Sequence, residues 1–181
     1  MSIEAVAILA GGCFWCLEPV FSQLQGVRQV VSGYIGGRVA NPVYEEVCTG
    51  QTGHAEAIKI VFEPDVISYE VLLEIFFLAH DPTTLNRQGH DVGTQYRSAV
   101  FCQNEEQWQV VGRLLARFKQ EKAFMASIVT EVVMGREFYP AEDYHQQYYA
   151  QHPNQPYCLA VAAPKVAKIR EKYAGRIKPQ A

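Results

Sequence analysis

Val6-Ala7-Ile8-Leu9-Ala10-Gly11-Gly12-Cys13-Phe14-Trp15-Cys16 is the stretch whose reading decides the fold. Val6 to Ala10 is a short, wholly apolar run, the pattern of a buried strand. Beyond the glycines, Phe14, Leu17, Val20, Phe21 and Leu24 recur on one side of a helical projection, so strand gives way to helix at Cys13. Backbone N–H groups and the positive helix end near such a cysteine favour thiolate over thiol, and a thiolate is a nucleophile. Gly11 and Gly12 permit a sharp turn and leave room for a ligand to approach the backbone. Phe14 and Trp15 beside a reactive sulfur suggest a pocket for a small apolar group. Pro19 has no N–H to return to Trp15, so the regular helix either begins close to Cys16 or kinks there. Cys13-x-x-Cys16 reads either as redox or metal chemistry or as two half-buried thiols.

Outward from this stretch, a first helix runs to about residue 25 and is closed by Gly26, and residues 27–34 read as a second strand. Residues 38–53 are a polar, glycine-punctuated passage of functional-loop length. Residues 55–62 form a third strand, with Ile58, Ile60 and Phe62 on one face. Ser68 caps a helix that Pro82 ends. After a loop over 81–93, residues 95–102 read as a fourth strand. Asn104 and Gln107 resemble a capping box that opens a helix to about residue 122, with Trp108, Val111, Leu115 and Phe118 on one face. Residues 128–133 suit an edge strand, and 141–149 and 164–173 short helices. The order β-α-β-β-α-β is that of an α+β, ferredoxin-like two-layer sandwich with a mixed sheet, followed by an appended helical and coil tail. A single catalytic domain over residues 1–181 is expected, with 140–181 as a C-terminal extension.

The chain has 181 residues, 49% hydrophobic and 19% charged, the balance of a soluble globular protein with one real core. A net charge of −3 argues against a nucleic-acid partner held by phosphate neutralisation. No apolar run approaches a membrane span, and the N-terminus lacks the pattern of a secretory signal. Five cysteines cannot all pair within one chain, and their wide spacing is unlike a disulfide framework. A reducing, cytoplasmic setting is expected, with any disulfide transient and catalytic.

Four clusters are candidates to gather around Cys13. His54 and Glu56 lie two apart on one strand face, and Glu56 is flanked by alanines. Held in an apolar site, Glu56 stays protonated and serves as a general acid; otherwise the two are an exposed edge pair. Tyr44, delivered by the turn after Pro42, either donates a hydrogen bond to a developing oxyanion or simply packs. In the polar run from Gln88 to Ser98, Asp91 and Tyr96 are the candidate site members and His90 a solvated loop residue. In the tail, His145 sits on a polar helix face. Cys158 follows Pro156 in a segment read as mobile, where a thiol is either free to swing onto a sulfenic acid or buried. Cys102 reads as core and Cys48 carries no comparable context. Zinc at Cys13, Cys16, His145 or His152, and Cys158 lacks a second C-x-x-C or H-x₃-H, so no metal site is assigned.

Taken together, GGCFWC at 11–16, SGYIGG at 32–37, NPVYEEVCTGQTGHAEA at 41–57, GTQYRS at 93–98 and AEDYHQQY at 141–148 resemble the A-type peptide-methionine sulfoxide reductases, specific for the S epimer. The resemblance implies that Cys13 attacks the sulfoxide sulfur, that Phe14 and Trp15 enclose the S-methyl group, and that Glu56, Tyr44 and Tyr96 bind and protonate the oxygen. Asp91 would belong to the surrounding polar network and His145 to a supporting shell. The sulfenic acid left on Cys13 would be resolved by Cys158, which matches the family's resolving position, or by Cys16, often glycine in relatives. Free or protein-bound methionine sulfoxide would be the substrate, thioredoxin or another dithiol the reductant, with no bound cofactor and a monomeric enzyme. Two rival readings stay open: a glutaredoxin-like disulfide oxidoreductase using Cys13-x-x-Cys16, and a zinc-stabilised binding module.

Overall fold

The computed structural model describes residues 3–180. Its elements are β1 (Ala5–Gly11), α1 (Phe14–Ser22), β2 (Val27–Ile35), α2 (Tyr44–Cys48), β3 (Ala55–Phe62) and α3 (Tyr69–Ala79). A small hairpin follows, β4 (Arg87–Gln88) and β5 (Asp91–Val92), then β6 (Ser98–Cys102) and α4 (Glu105–Glu121). Two edge strands, β7 (Glu131–Met134) and β8 (Phe138–Pro140), precede α5 (Tyr148–Gln151) and α6 (Ala163–Lys172). The main sheet has the order β7-β6-β1-β3-β2-β8, with β6 and β7 parallel and the other pairs antiparallel. Because β3 lies antiparallel between β1 and β2, those two are parallel neighbours once removed, the split βαβ arrangement of a ferredoxin-like sandwich.

Strand alternation explains why β1 is apolar throughout. Ala7 and Leu9 join the core beneath the helices, whereas Ile8 and Ala10 face a second cluster with Ile35, Ala55, Ala57, Ala99 and Phe101. On β3, Ile58, Ile60 and Phe62 point to the helices, and Glu56 shares their parity. Leu17, Val20 and Phe21 of α1, with Leu24 just beyond its end, cover that face. Ser68 caps α3 by accepting from Val71 N–H, and Asn104 caps α4 by accepting from Gln107 N–H.

Several boundaries differ from expectation. Helix α1 runs through Pro19 and starts at Phe14, so Cys13 is its N-cap. Residues 95–97 do not extend β6; Thr94–Tyr96 form a 3-10 turn. Trp108 is 41% exposed, because Gln107 takes the inward place on α4, its amide accepting from Gln103 N–H and donating to the Val6 carbonyl. Residues 141–149 are not one helix: a 3-10 turn at Asp143–His145 gives way to Gln147 with φ 52°, after which α5 begins.

Edge strand β8 lies close against β2 at Gly33, where an added Cβ would come within 2.5 Å of the Tyr139 carbonyl and 2.3 Å of the Phe138 ring. Gly33→Ala should therefore cost about 1–3 kcal/mol in urea unfolding, by prying β8 off the sheet. An unchanged midpoint would show that β8 is not clamped there.

Candidate active site

Cys13 has an extended backbone, and the opening N–H of α1 is satisfied from another strand: Phe14 N–H donates to Glu56 Oε1 at 3.2 Å. Glu56 pairs across the sheet with Tyr34 and is 1% exposed. Burial pushes its carboxyl up to about 8, with Asp91 and Cys16 adding to the rise while the Phe14 N–H and the Cys13 thiol oppose it. At neutral pH Glu56 is thus a protonated donor rather than an exposed edge carboxylate.

The expected thiolate at Cys13 is reversed. Burial, then a hydrogen bond shared with Cys16 and the charge of Glu56, hold the Cys13 thiol well above its ordinary value. The helix-end contribution, through Trp15 N–H, is present but smaller. Cys16 moves the opposite way: the hydrogen bond from Cys13 lowers it against burial, with help from Lys165 and Tyr157. Desolvation decides at Cys13, where the Trp15 N–H is the one contribution that favours the thiolate.

Three phenols face Glu56: Tyr34 from β2, Tyr44 from the first residue of α2, and Tyr96 from the 3-10 turn. Burial first, and Glu56 among the further causes, raises all three above the ordinary phenol range. They are donors at any working pH. Tyr157, from the tail, donates to Asp91 Oδ2 and lies 3.7 Å from Cys16 Sγ.

An aromatic wall completes the site. Trp15 stacks on Tyr148 with ring centroids 3.7 Å apart, and its Nε1–H donates to His145 Nδ1 at 3.0 Å. That bond places the neutral His145 proton on Nε2, which is buried without a protein partner among the described residues. The His145 ring lies against Tyr44 at 4.6 Å and Phe14 at 5.1 Å. Phe14 has no exposed surface, so it backs the wall and leaves the open side to half-buried Trp15.

Cys13, Cys16, Tyr44, Glu56, Asp91, Tyr96, His145 and Cys158 thus come to one end of the sheet, whereas His54 and His90 do not join them. His54 instead clamps the loop after β2, accepting from Gly37 N–H and donating to the Val39 carbonyl. His90 is exposed. Cys158 is not mobile: it is fully buried in a π-helical turn, Cys158–Ala162, packed with Cys16 and Ala162, and burial raises its thiol. Pro156 and Gln155 open that helix, Gln155 Oε1 accepting from Cys158 N–H, so the proline marks a first turn and not a coil.

Four residues escaped sequence reading. Tyr157 bridges Asp91 and Cys16. Exposed Cys48 hydrogen-bonds with the Tyr44 hydroxyl. Glu142 accepts from Tyr34 Oη, Tyr44 N–H and Tyr144 Oη. Glu18 accepts from Gln147 N–H and Ser32 Oγ, and burial pushes it up to about 7. Only Glu18 left a signal, as the one charged side chain in an otherwise apolar helix. Among the described residues, no group of three or more His, Cys, Asp and Glu side chains is arranged to hold a metal, and no helix is long and apolar enough to cross a membrane.

A family model described as peptide methionine sulfoxide reductase matches residues 5–177. The chain is 53% identical to peptide methionine sulfoxide reductase MsrA of Polynucleobacter asymbioticus, over 96% of this chain and 92% of the relative. It is 55% identical to the Chromobacterium violaceum protein of that name, over 93% of this chain and 96% of the relative. Among solved structures it is similar to reduced Mxr1 of Saccharomyces cerevisiae, with TM-score 0.78, 32% identity, and coverage of 86% of this chain and 89% of that one.

The raised Glu56 carboxyl has a consequence for stability. Its proton is held more tightly in the folded chain, at about 8, than in the unfolded one near the ordinary 4.5, so the wild type loses stability as pH climbs through that window. Glu56→Gln, uncharged throughout, should match wild type in urea unfolding at pH 4.5 and exceed it by a few kcal/mol at pH 9. A pH-independent difference would show that Glu56 is ionised in the native state.

Proposed function

This chain belongs to the peptide methionine sulfoxide reductase family, and from that premise we propose that Cys13 is the nucleophile and Glu56 the acid in its reaction. The enzyme reduces methionine sulfoxide to methionine. The observation that carries the residue assignment is a protonated carboxyl, fixed by Phe14 N–H, within hydrogen-bond range of the Cys13 thiol. Trp15 forms the open wall for the S-methyl group. Glu56, Tyr44 and Tyr96 point their O–H donors at the sulfoxide oxygen, whose basicity grows as the sulfur is attacked.

In the first step Cys13 Sγ bonds to the sulfoxide sulfur, and the oxygen takes the Glu56 proton. The S–O bond then breaks, the hydroxyl ends on Cys13 as a sulfenic acid, and the thioether leaves with its lone pair restored. The thiol hydrogen of Cys13 replaces the proton on Glu56, passing by way of the more acidic Cys16. Thiol plus sulfoxide therefore becomes sulfenic acid plus thioether without added water.

The shared hydrogen bond also puts Cys16 first in line for recycling. Cys16 attacks the sulfenic acid, water leaves, and a Cys13–Cys16 disulfide forms across the first helical turn, a separation that a disulfide spans. Cys158, packed on Cys16, receives the disulfide by exchange and hands it to an external dithiol, thioredoxin by the family resemblance. The C-terminal extension, residues 140–181, contributes His145, Tyr148, Tyr157 and Cys158, so it is part of one catalytic domain. The route uses thiols and protons alone and suits the cytoplasm, where thiols are kept reduced. The S epimer, free or in a polypeptide, is the substrate.

Each role has its own readout. Cys13→Ser should release no methionine even in a single turnover, and stoichiometric release by that variant would refute the nucleophile. Cys158→Ser should give one turnover and a Cys13–Cys16 disulfide by peptide mass mapping. In Cys16→Ser the sulfenic acid should persist long enough for trapping by dimedone; disulfide formation at the wild-type rate would assign its capture to Cys158 directly. Glu56→Gln should slow the first step by about 10²–10⁴-fold, since an amide has no acidic proton to give. An unchanged single-turnover rate would remove Glu56 from the acid role, and equal turnover of the two separated epimers would remove the S assignment.

A further inference from the structure

Arg97, one residue beyond the Tyr96 turn, has a side chain only 11% exposed. Its Nη2 donates to the Gly53 carbonyl at 2.9 Å and its Nη1 to the Thr94 carbonyl at 2.9 Å. Gly53 leads into the strand that delivers Glu56, and Thr94 opens the turn that delivers Tyr96. The same Nη2 lies 2.9 Å from where a Cβ on Gly36 would be, so the guanidinium also lies over the end of β2 just past Tyr34. One planar fork joins the three segments from which three of the O–H donors are hung. Its remaining contact, Nε to Glu131 Oε2 at 3.4 Å, is with a half-exposed partner and contributes little.

We propose that Arg97 is a positioning residue that keeps Glu56 dry and in register with Tyr96 by stapling the entrance of β3 to the Tyr96 turn. The inference rests on the reading of Glu56 as the acid. Without the fork, the Gly53 carbonyl loses its partner and the Thr94 carbonyl keeps only the Arg97 backbone N–H, so water is recruited at the point where β3 enters the site. Water reaching Glu56 relieves the desolvation that keeps it protonated at neutral pH. Around that carboxyl the other titratable groups are Cys13 and Cys16 on α1, Tyr34 on β2, Tyr44 and Cys48 on α2, and Asp91 and Tyr96 on the loop that follows α3. None is a cation, so none substitutes for burial in setting its protonation. A lysine cannot replace the fork, because one ammonium cannot span both carbonyls in the same plane.

The test is the pH dependence of the single-turnover rate in wild type, Arg97→Gln, Arg97→Lys, Glu131→Gln and Glu56→Gln, each checked for a cooperative melt. Wild type should lose activity above about 8, and Glu56→Gln should lack that limb. Arg97→Gln should move the limb down by about one unit and lower the plateau by about tenfold or more, as misplaced donors do. Arg97→Lys should fall between, and Glu131→Gln should overlie wild type. A limb that stays in place in Arg97→Gln, or moves equally in Glu131→Gln, overturns the staple while leaving Glu56 as the acid. A limb that survives in Glu56→Gln overturns the Glu56 reading and the inference built on it.

Discussion

A neutral carboxyl group shut between the first turn of α1 and the start of the central strand β3 is the constraint around which the site is arranged. An ionised Glu56 at 1% exposure would cost several kcal/mol, and the chain avoids that cost by keeping the proton. Neutrality then sets what can surround it. The Phe14 N–H that would be an orphan at a helix start finds the carboxyl oxygen, and the carboxyl O–H is left to point at a substrate. On the opposite face of β3, Ala55 and Ala57 pack into the second apolar cluster.

Carboxylates also hold the tail against the core. Glu142 gathers Tyr34, Tyr44 and Tyr144, so the residue that opens α2 is pinned by an acceptor from nearly a hundred residues away. Glu18 gathers Gln147 and Ser32, and Gln147 adopts a left-handed backbone that costs of order 1 kcal/mol. Between them the Gln146 amide behaves like a further strand residue, accepting from Ser32 N–H and donating to the Ser32 carbonyl. With both ends of the segment tied, His145 and Tyr148 have one place to go, against Trp15. The aromatic wall is thus a consequence of polar satisfaction along β2 as much as of apolar packing.

Those long-range ties mark the limit of what was legible in the chain. The strand, glycine turn and helix around Cys13 were legible because apolar periodicity is local, and Glu56 because a carboxylate between alanines in an apolar strand has few bland explanations. The inward face of α4 was not: helical spacing put Trp108 there, whereas Gln107, hydrogen-bonded to the Val6 carbonyl, takes the inward place. Cys158 stayed open between a swinging thiol and a buried one because proline suits mobile segments and first helical turns alike, and only the Gln155 cap separates the two. The relative acidity of Cys13 and Cys16 was beyond reach, since it depends on which thiol donates to the other and on how dry each is.

That order of acidities changes how the chemistry is best pictured. A resting thiolate at Cys13 beside a carboxyl would press Glu56 to stay protonated but would also stand as an isolated charge in a dry site. With Cys16 instead the more acidic of the two thiols, helped by Lys165 and Tyr157, the proposed nucleophile and the proposed acid are both held toward their neutral forms. On the proposed roles, the Cys13 proton passes by way of Cys16 to Glu56 as Glu56 gives its own to the oxygen, so no net charge is created near the aromatic wall. Such a site needs donors fixed in place more than it needs a strong base, and the fixed donors are what α1, the Tyr96 turn and the tied-down tail supply.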